Sequence, residues 1–592
     1  MKHKSGDCKV GRTVYFQMDR NANYALICLF GFSVMFPELL VAQDSMPAIS
    51  NDPTKTQQAI PDLLPLPEKK GKGFELPALP KHVDQEKGAK TIQLKQVVFT
   101  GNTVFTNEEL QDLLVSYLNR PLSAVDLESM RSKATQYYID HGYINSGALL
   151  TTQSVAEGVL SLTVVEGKLT EVRQSGQERL REGYIRDRLL EGSGDPLNVQ
   201  NLQNSYRQLL SDPLIQQLNG SLLPGVHPGE AVLDVKVTRN RPYQAYAGAD
   251  DYSTPAVGSY AGRMGGWVDN LMTLGERIDG QFIVNGTALG YNMGITMPIT
   301  AQDTRVSFRY SDTHSSLTER ASNPLNLQSQ ITGFDGGILH PIYRTLNDNL
   351  KLGLNFAVRQ SQTLLAGRCD SGALFTGVDG DHSCNTQVTV LRVSQRYTHR
   401  VESTGFAFYS TFNVGINALG ATTYQPLGGQ GGEFFSWLAQ SMFNQRILDN
   451  GTQLVLRGAV QIANSPLLPL ERFSVGGVNT ARGYQENSYI RDNGFNTTAE
   501  IKYPLYGGTS SDKNNLFLVP FIDYAGGWNV AYAGNSPPVD YLFSSGLGFN
   551  WQYKQVSTDF YWGHAFNSVV PKPSTKSIQD EGIHFRVNVN AF

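Results

Sequence analysis

Cys369 and Cys384 are the side chains whose type and spacing most directly suggest chemistry, with His382 beside the second. A metal centre needs CxxC-type ligand spacing, which is absent. In an oxidising compartment an even pair within one Gly/Asp/Ser-rich segment reads instead as a disulfide tying a surface loop. The other two of the four cysteines, Cys8 and Cys28, fall in an N-terminal leader that would be removed. No G-x-S-x-G, H-E-x-x-H or P-loop occurs. His141, just before Gly142-Tyr143, stands at the end of a predicted helix and reads as a cap. Pro426-Leu427-Gly428-Gly429-Gln430-Gly431-Gly432 is glycine-dense but sits in no βαβ pattern, so it reads as a loop and not a phosphate cradle. No catalytic, cofactor or metal site is predicted, and an enzyme is the least supported class.

The elements point elsewhere. From about Tyr243 to Phe592 apolar and polar residues alternate strand after strand. Leu350, Leu352, Leu354, Phe356 and Val358 share one face; Lys351, Gly353, Asn355, Ala357 and Arg359 share the other. Thr304, Val306, Phe308 and Tyr310 alternate with Arg305, Ser307, Arg309 and Ser311, and Val556, Thr558, Phe560 and Trp562 with Gln555, Ser557, Asp559 and Tyr561. One face suits lipid and the other a wet lumen. A soluble sheet with one face on a core alternates in the same way, so a single strand leaves both readings open. About sixteen strand candidates are counted, an even number as single-chain barrels prefer. A turn-rich segment, Asn464 to Asn493, separates the eleventh from the twelfth and is too long for an ordinary hairpin loop.

The 592 residues imply more than one domain. A net charge of -4 gives no global basic field for nucleic acid. The 58 glycines, 27 tyrosines and 28 phenylalanines fit many turns and aromatic girdles. Lys2, Lys4, Lys9, Arg12 and Arg20 precede an apolar stretch, Tyr24 to Phe36, and Leu40-Val41-Ala42 resembles a cleavage site, so residues 1–42 read as a secretory signal. Residues 43–90 are a Pro-broken linker with room for a short helix around Thr54–Leu64. Residues 91–167 predict a β-α-α-β-β unit: a strand over Ile92–Phe99, a capping box of Thr106 and Glu109, a helical face of Leu110, Leu113, Leu114 and Tyr117, a helix over Ala124–Asp140, and strands near Gly147–Thr152 and Gly158–Val165. Residues 168–239 repeat the scheme, with helices at Tyr184–Leu190 and Asn198–Leu210.

Several motifs carry a family resemblance. Glu471-Arg472-Phe473-Ser474-Val475-Gly476-Gly477 leads into Ala481-Arg482-Gly483-Tyr484. Phe521-Ile522-Asp523 follows in a barrel strand. His141-Gly142-Tyr143, Val165-Glu166-Gly167, Pro224-Gly225 and Pro228-Gly229 fall in the N-terminal units. In this order they resemble the two-partner secretion transporters, the haemolysin secretion/activation and filamentous-haemagglutinin transporter family. The likeness spans roughly 91–592. It departs from the family's pattern at Thr151-Thr152, where a proline is usual, and at Phe592, which is out of phase with Phe585, Val587 and Val589.

The resemblance implies a 16-stranded transmembrane β-barrel over 240–592, with two N-terminal α+β POTRA (polypeptide-transport-associated) domains at 91–167 and 168–239. It places the barrel in the bacterial outer membrane and the POTRA domains in the periplasm. It implies that the loop folds into the lumen, where Arg482 meets Asp523, with Gly483 turning the tip, Tyr484 packing beside the pair with its polar end free, and Phe521 on the same strand. A buried arginine there needs a carboxylate. The implied partners are a secreted exoprotein bound through the POTRA domains, outer-membrane lipid and the barrel assembly machinery. The implied function is export of a large unfolded exoprotein, a haemolysin or adhesin. The rivals are an insertase of the same superfamily and a passive porin. Arg173, Arg179, Arg181, Arg186 and Arg188 give the second unit a basic bias that could steer an acidic client, though a solvated face is the simpler reading.

Overall fold

The computed structural model describes residues 92–151, 158–316, 327–365, 385–423, 431–507, 514–530, 539–569 and 576–591. The leader over 1–42, the linker over 43–90 with its short helix, Cys369 and Cys384, Phe592, Thr152 and most of the glycine-dense 426–432 lie outside these residues.

The first unit comprises β1 (Gln96–Thr100), α1 (Asn107–Asp112), α2 (Ala124–Asp140), β2 (Gly147–Leu149) and β3 (Val159–Val165). β3 is the central strand, parallel to β1 and antiparallel to β2. Its alternation buries Leu160, Leu162 and Val164 against Leu110, Met130 and Tyr138. The capping box forms: Thr106 Oγ1 accepts from Glu109 N (3.2 Å), and Glu109 Oε2 accepts from Thr106 N (2.8 Å). Two expectations are corrected. The strand over Ile92–Phe99 breaks at Leu94, which is fully buried; Ile92–Gln93 pairs with Pro121–Leu122 and only Gln96 onward joins the main sheet. The helical face through Tyr117 is cut short, because α1 ends at Asp112 and a 3-10 turn, Val115–Tyr117, follows.

The second unit repeats the order: β4 (Lys168–Ser175), α3 (Glu182–Ser193), α4 (Val199–Leu210), β5 (Ile215–Pro224) and β6 (Glu230–Arg239), with β6 central. α3 and α4 lay Tyr184, Ile185, Leu189, Leu202, Tyr206 and Leu209 on Leu218, Leu233 and Val235 of the sheet. Asn198 caps α4, its Oδ1 accepting from Gln200 N (2.9 Å). The two units are joined by backbone bonds, Leu197 N to Gly167 O (2.7 Å) and Val199 N to Gly142 O (2.9 Å), and by Asn145 Nδ2 to Gly229 O (2.8 Å).

Sixteen antiparallel strands then close into a barrel, the first (Tyr243–Asp250) pairing with the sixteenth (Ile583–Asn590) from Asp250↔Arg586 to Tyr246↔Asn590. Closure leaves no sheet edge for lipid to meet. The apolar face is the exposed outer one, which removes the soluble-sheet reading: Leu352, Leu354 and Phe356 on the seventh strand (Asp348–Leu365) are 41, 47 and 38% exposed, while Ala357, the next residue and on the opposite face, is fully buried. At one end the strands are joined by short turns, 270–276, 299–304, 345–347, 401–403 and 447–452; the other end carries the long connection 464–492.

The second unit meets the short-turn end. Arg179 Nη2 donates to Leu271 O (3.0 Å), Arg181 N donates to Thr273 O (3.1 Å), and Gly275, at φ 82°, leaves room for the Tyr184 ring, which a Cβ there would strike at 2.3 Å. Arg188 lies 3.7 Å from Asp303. Arg179 and Arg188 therefore engage the barrel through their side chains, and Arg181 through its backbone. Arg173 and Arg186 pair with their neighbours Glu171 and Asp187.

Candidate functional site

The segment between the eleventh strand (Gln453–Ala463) and the twelfth (Asn493–Tyr506) returns inside the barrel. Its first part is apolar and proline-directed. Leu467, Leu468 and Leu470, around the turn Pro469–Glu471, pack on Val388, Val390 and Phe434 of the wall. Phe473–Val475 then pairs with Tyr489–Arg491 in a small hairpin whose reversal starts at Gly476 and Gly477, at φ 101° and 96°. A side chain at Gly477 would strike the Glu486 carboxylate, which accepts from Val478 N (2.8 Å). The tip carries Ala481 to Tyr484.

At the tip, Arg482 is grasped from three directions. Its Nε and Nη2 donate to the two oxygens of Asp523 (2.8 and 2.7 Å), its backbone N donates to Asp523 Oδ2 (2.9 Å), and Nη1 donates to Glu500 Oε1 (2.7 Å). The planar guanidinium is the one side chain that can fork onto a carboxylate and keep a donor for a second. Arg457 Nη1 donates to Glu500 Oε1 (2.9 Å), so two cations face two anions. The Arg482, Asp523 and Glu500 side chains are 2, 1 and 1% exposed, which makes balance essential. The guanidinium carbon lies 3.6 Å from the Phe521 ring centre and 5.0 Å from that of Tyr561, a stack that shields the pairs from water. Gly483, at φ 93°, is required sterically: a Cβ would sit 2.9 Å from Gly563 O on the fifteenth strand (Val556–Ala565).

Tyr484 is placed differently from the expectation. Its ring packs in the cluster of Ala481, Tyr489, Ala525 and Leu542, and its hydroxyl lies 2.6 Å from Asn567 Oδ1 and 2.9 Å from Phe543 O. Its polar end is thus engaged, and the rings beside the ion pair are Phe521 and Tyr561. The reason is direction: Gly483 reverses the chain, so adjacent side chains leave the tip toward different walls.

A second attachment holds the start of the loop. Glu471, fully buried, accepts from Arg392 Nη2 (2.6 Å) on the eighth strand (Asn385–Arg400), with Arg359 Nη1 at 4.0 Å on the seventh. Asp335 on the sixth strand (Leu327–Arg344) stands 3.9 Å from Arg359 and 4.0 Å from Arg392. Two acids again face two bases, with the polarity reversed: here the loop brings the acid and the wall the bases. Glu471 stands out in the sequence only as part of a motif, and Glu500, Arg457, Arg392 and Asp335 belong to none of the motifs. Inward parity within each strand was the available signal, since Glu500 shares the lumen face of its strand with Thr498 and faces strands with acid-paired arginines.

In the first unit, the Val165-Glu166-Gly167 motif has a structural use. The Glu166 carboxylate accepts from Thr103 N (2.7 Å), Val104 N (2.9 Å) and the Tyr138 hydroxyl (2.9 Å). Burial pushes its pKa up, but the hydrogen bonds from Thr103 and Val104 outweigh it and hold the carboxyl below the usual glutamate value; burial and this carboxylate raise that of Tyr138.

A closed 16-stranded barrel with a loop strapped through its lumen and an α+β unit at its short-turn end defines a POTRA-barrel fold. Residues 229–551 match the haemolysin secretion/activation protein ShlB/FhaC/HecB family, and the chain belongs to that family; residues 92–167 match the POTRA domain, ShlB-type. Among curated relatives, the outer membrane transporter CdiB of Escherichia coli O6:K15:H31 (strain 536 / UPEC) is 23% identical over 70% of this chain and 69% of its own. The heme/hemopexin transporter protein HuxB of Haemophilus influenzae (strain 86-028NP) is 22% identical over 83% of this chain and 84% of its own. Among solved structures, CdiB from Escherichia coli aligns with a TM-score of 0.63 at 19% identity, covering 86% of this chain and 92% of that one. BamA from Haemophilus ducreyi aligns with a TM-score of 0.50 at 13% identity, covering 85% and 100%. The barrel is an outer-membrane transporter with its POTRA end in the periplasm, and it acts with a secreted exoprotein.

Proposed function

We propose that this protein exports one large, unfolded, β-rich exoprotein, a haemolysin or adhesin, from periplasm to cell surface, and that the strapped loop gates the path. The observation that carries this reading is the loop fixed inside the lumen by the Arg482, Asp523 and Glu500 cluster, because buried pairs of this kind hold one geometry and fail together. Movement of the loop would uncover a polar wall along which an extended chain could pass. No group in this account makes or breaks a covalent bond, so the protein is not an enzyme in this reading.

The second α+β unit, 168–239, acts as a second POTRA domain, and the sheet edges β1, β2, β4 and β5 offer an extended client main-chain donors and acceptors. Folding of the client outside supplies direction, since the periplasm has no nucleotide to drive it. The barrel itself is inserted by the barrel assembly machinery.

The test is secretion of an exoprotein encoded beside this gene, in cells with and without the protein and with Arg482→Ala or Asp523→Ala. Barrel folding is followed by heat-modifiable migration. Export that requires the protein and is lost in variants whose barrel still folds supports the reading. Export by wild type and variants alike removes the gating role. Defects in other outer-membrane proteins with no export point to an insertase.

A further inference from the structure

The periplasmic mouth of the barrel carries a patch of cations that the loop does not use. Lys351 on the seventh strand stands directly opposite Arg396 on the eighth, and both face the lumen, on the same strand faces as Arg359 and Arg392. Like charges directly opposite one another on neighbouring strands are destabilising, so the pair is a cost the fold carries. Arg400 lies on the same lumen face at the rim, and Arg446 ends the tenth strand (Phe434–Arg446), two strands further round the wall. Among the described residues, no carboxylate forms a salt bridge with any of these four; Asp303 acts on Lys351 only through its charge. Arg396 has only the Tyr409 ring, 5.7 Å from its guanidinium carbon, and the Nε atoms of Arg400 and Arg446 are buried without a hydrogen-bond partner.

The nearby acids are committed elsewhere. Asp303 serves three guanidiniums, Arg305 at 3.0 Å, Arg188 at 3.7 Å and Arg344 at 3.9 Å. Asp348 points to the other side of its strand, accepting from the Tyr397 hydroxyl (2.6 Å) beside His399. Glu402 and Asp449 stand exposed on the turns. Bilayer lipid cannot reach an inward face, so an anion arriving here comes through the periplasmic mouth.

The geometry points to a receiving track for acidic, extended polypeptide: Lys351, Arg396, Arg400 and Arg446 bind carboxylate-bearing segments of the client as it enters. This rests on the export reading and adds the chemistry of what is received. Arg396 and Arg400 are four residues apart on one strand face, about 13 Å at strand rise. They therefore match carboxylates four residues apart on one side of an extended segment. The Tyr409 ring, directly opposite Arg396 on the ninth strand (Thr404–Gly415), offers a flat apolar contact beside that charge.

The experiment uses the full-length protein in nanodiscs and two fluorescent 16-residue peptides, alternating Glu-Ser and alternating Lys-Ser, read by anisotropy. The acidic peptide is expected to bind, to release as salt is raised, and to bind about tenfold more weakly to Lys351→Gln/Arg396→Gln, since a few half-exposed ion pairs are lost. The basic peptide is expected not to bind. Equal acidic-peptide binding by the variant, or equal binding of the two peptides, overturns the track. Removing one like-charged pair relieves repulsion, so the barrel should fold; Arg400→Gln/Arg446→Gln reads the same surface if it does not. Export of the neighbouring exoprotein is measured in the same strains. Export by wild type with peptide binding unchanged in both variants removes the track and keeps the export reading. No export by wild type removes the export reading, while the peptide comparison still decides the track.

Discussion

The loop is fastened at two places, and the two fastenings are built on different physics. At the tip a base from the loop enters an acidic wall: Arg482 spends its fork on Asp523 and a further donor on Glu500, between two rings, with all three side chains at 2% exposure or less. At the start an acid from the loop enters a basic wall: Glu471 has one close contact at 2.6 Å and a second cation at 4.0 Å, and its arginines are 11 and 14% exposed. What compensates there is the apolar packing of Leu467, Leu468 and Leu470 just before it. The tip is held by charge in register, the start mainly by burial. A displaced tip leaves an anionic wall on the twelfth and thirteenth strands, and a displaced start leaves a cationic wall on the seventh and eighth.

The sharpest break of this comparison is at the tip. Arg482→Ala leaves Asp523 and Glu500 buried, with Arg457 still bonded to Glu500, and removing one partner of such a cluster costs about 3–5 kcal/mol. Hydrogen exchange over 464–492 should rise while the barrel strands keep their protection. Arg482→Lys keeps the charge but cannot fork, and should fall between wild type and alanine. Exchange at the wild-type rate in Arg482→Ala would show that the hairpin holds itself.

At the start of the loop, Leu470→Ala should weaken docking by about 2–4 kcal/mol through lost burial and the cavity left behind. Glu471→Gln should cost less, about 1–3 kcal/mol, because a hydrogen-bond acceptor of the same shape remains for Arg392. That order is the signature of an anchor held by burial. If Glu471→Gln releases the start of the loop more than Leu470→Ala does, the two anchors are of one kind and the comparison fails. Hydrogen exchange in the 464–475 segment separates the two.

Much of this was legible in the sequence because each cue is local. Period-two alternation marks strands such as the fifth, seventh and fifteenth, and Leu352, Leu354 and Phe356 are on the lipid face the pattern requires. The Thr106 capping box and the end of α2 at His141-Gly142 need only neighbouring residues. Arg482 and Asp523, 41 residues apart, were placed together only through the family likeness, since nothing in spacing alone brings two barrel strands to one arginine. Glu471 with Arg392 and Arg359, and Arg457 with Glu500, are contacts across the lumen or along the wall, fixed by strand number and register, which alternation does not encode. The Tyr484 hydroxyl was misplaced because the reversal at Gly483 decides which wall it faces. The break at Leu94 was missed because a buried leucine continues a strand pattern as readily as it ends one.

The smallest expected effect lies outside the membrane, at Glu166, and extends the contrast to an anion held by hydrogen bonds. Its pKa is lowered in the folded unit, chiefly because the bonds from Thr103 and Val104 outweigh the cost of burial. A carboxyl with a depressed folded pKa contributes stability that is present above the unfolded value, about 4.3, and is lost as pH falls through the folded one. Between neutral pH and about pH 4.3 the Thr103 and Val104 amides should stay protected, and below it their protection should fall, with α2 and β3 intact. In Glu166→Gln the amide oxygen still accepts but does not titrate in this range, so protection should be weaker throughout and flat with pH. A pH-dependent loss of the same size in Glu166→Gln would assign the transition to another group. It would also leave the 102–105 turn held by its backbone and by Asn102 Nδ2, which donates to Phe105 O at 2.8 Å.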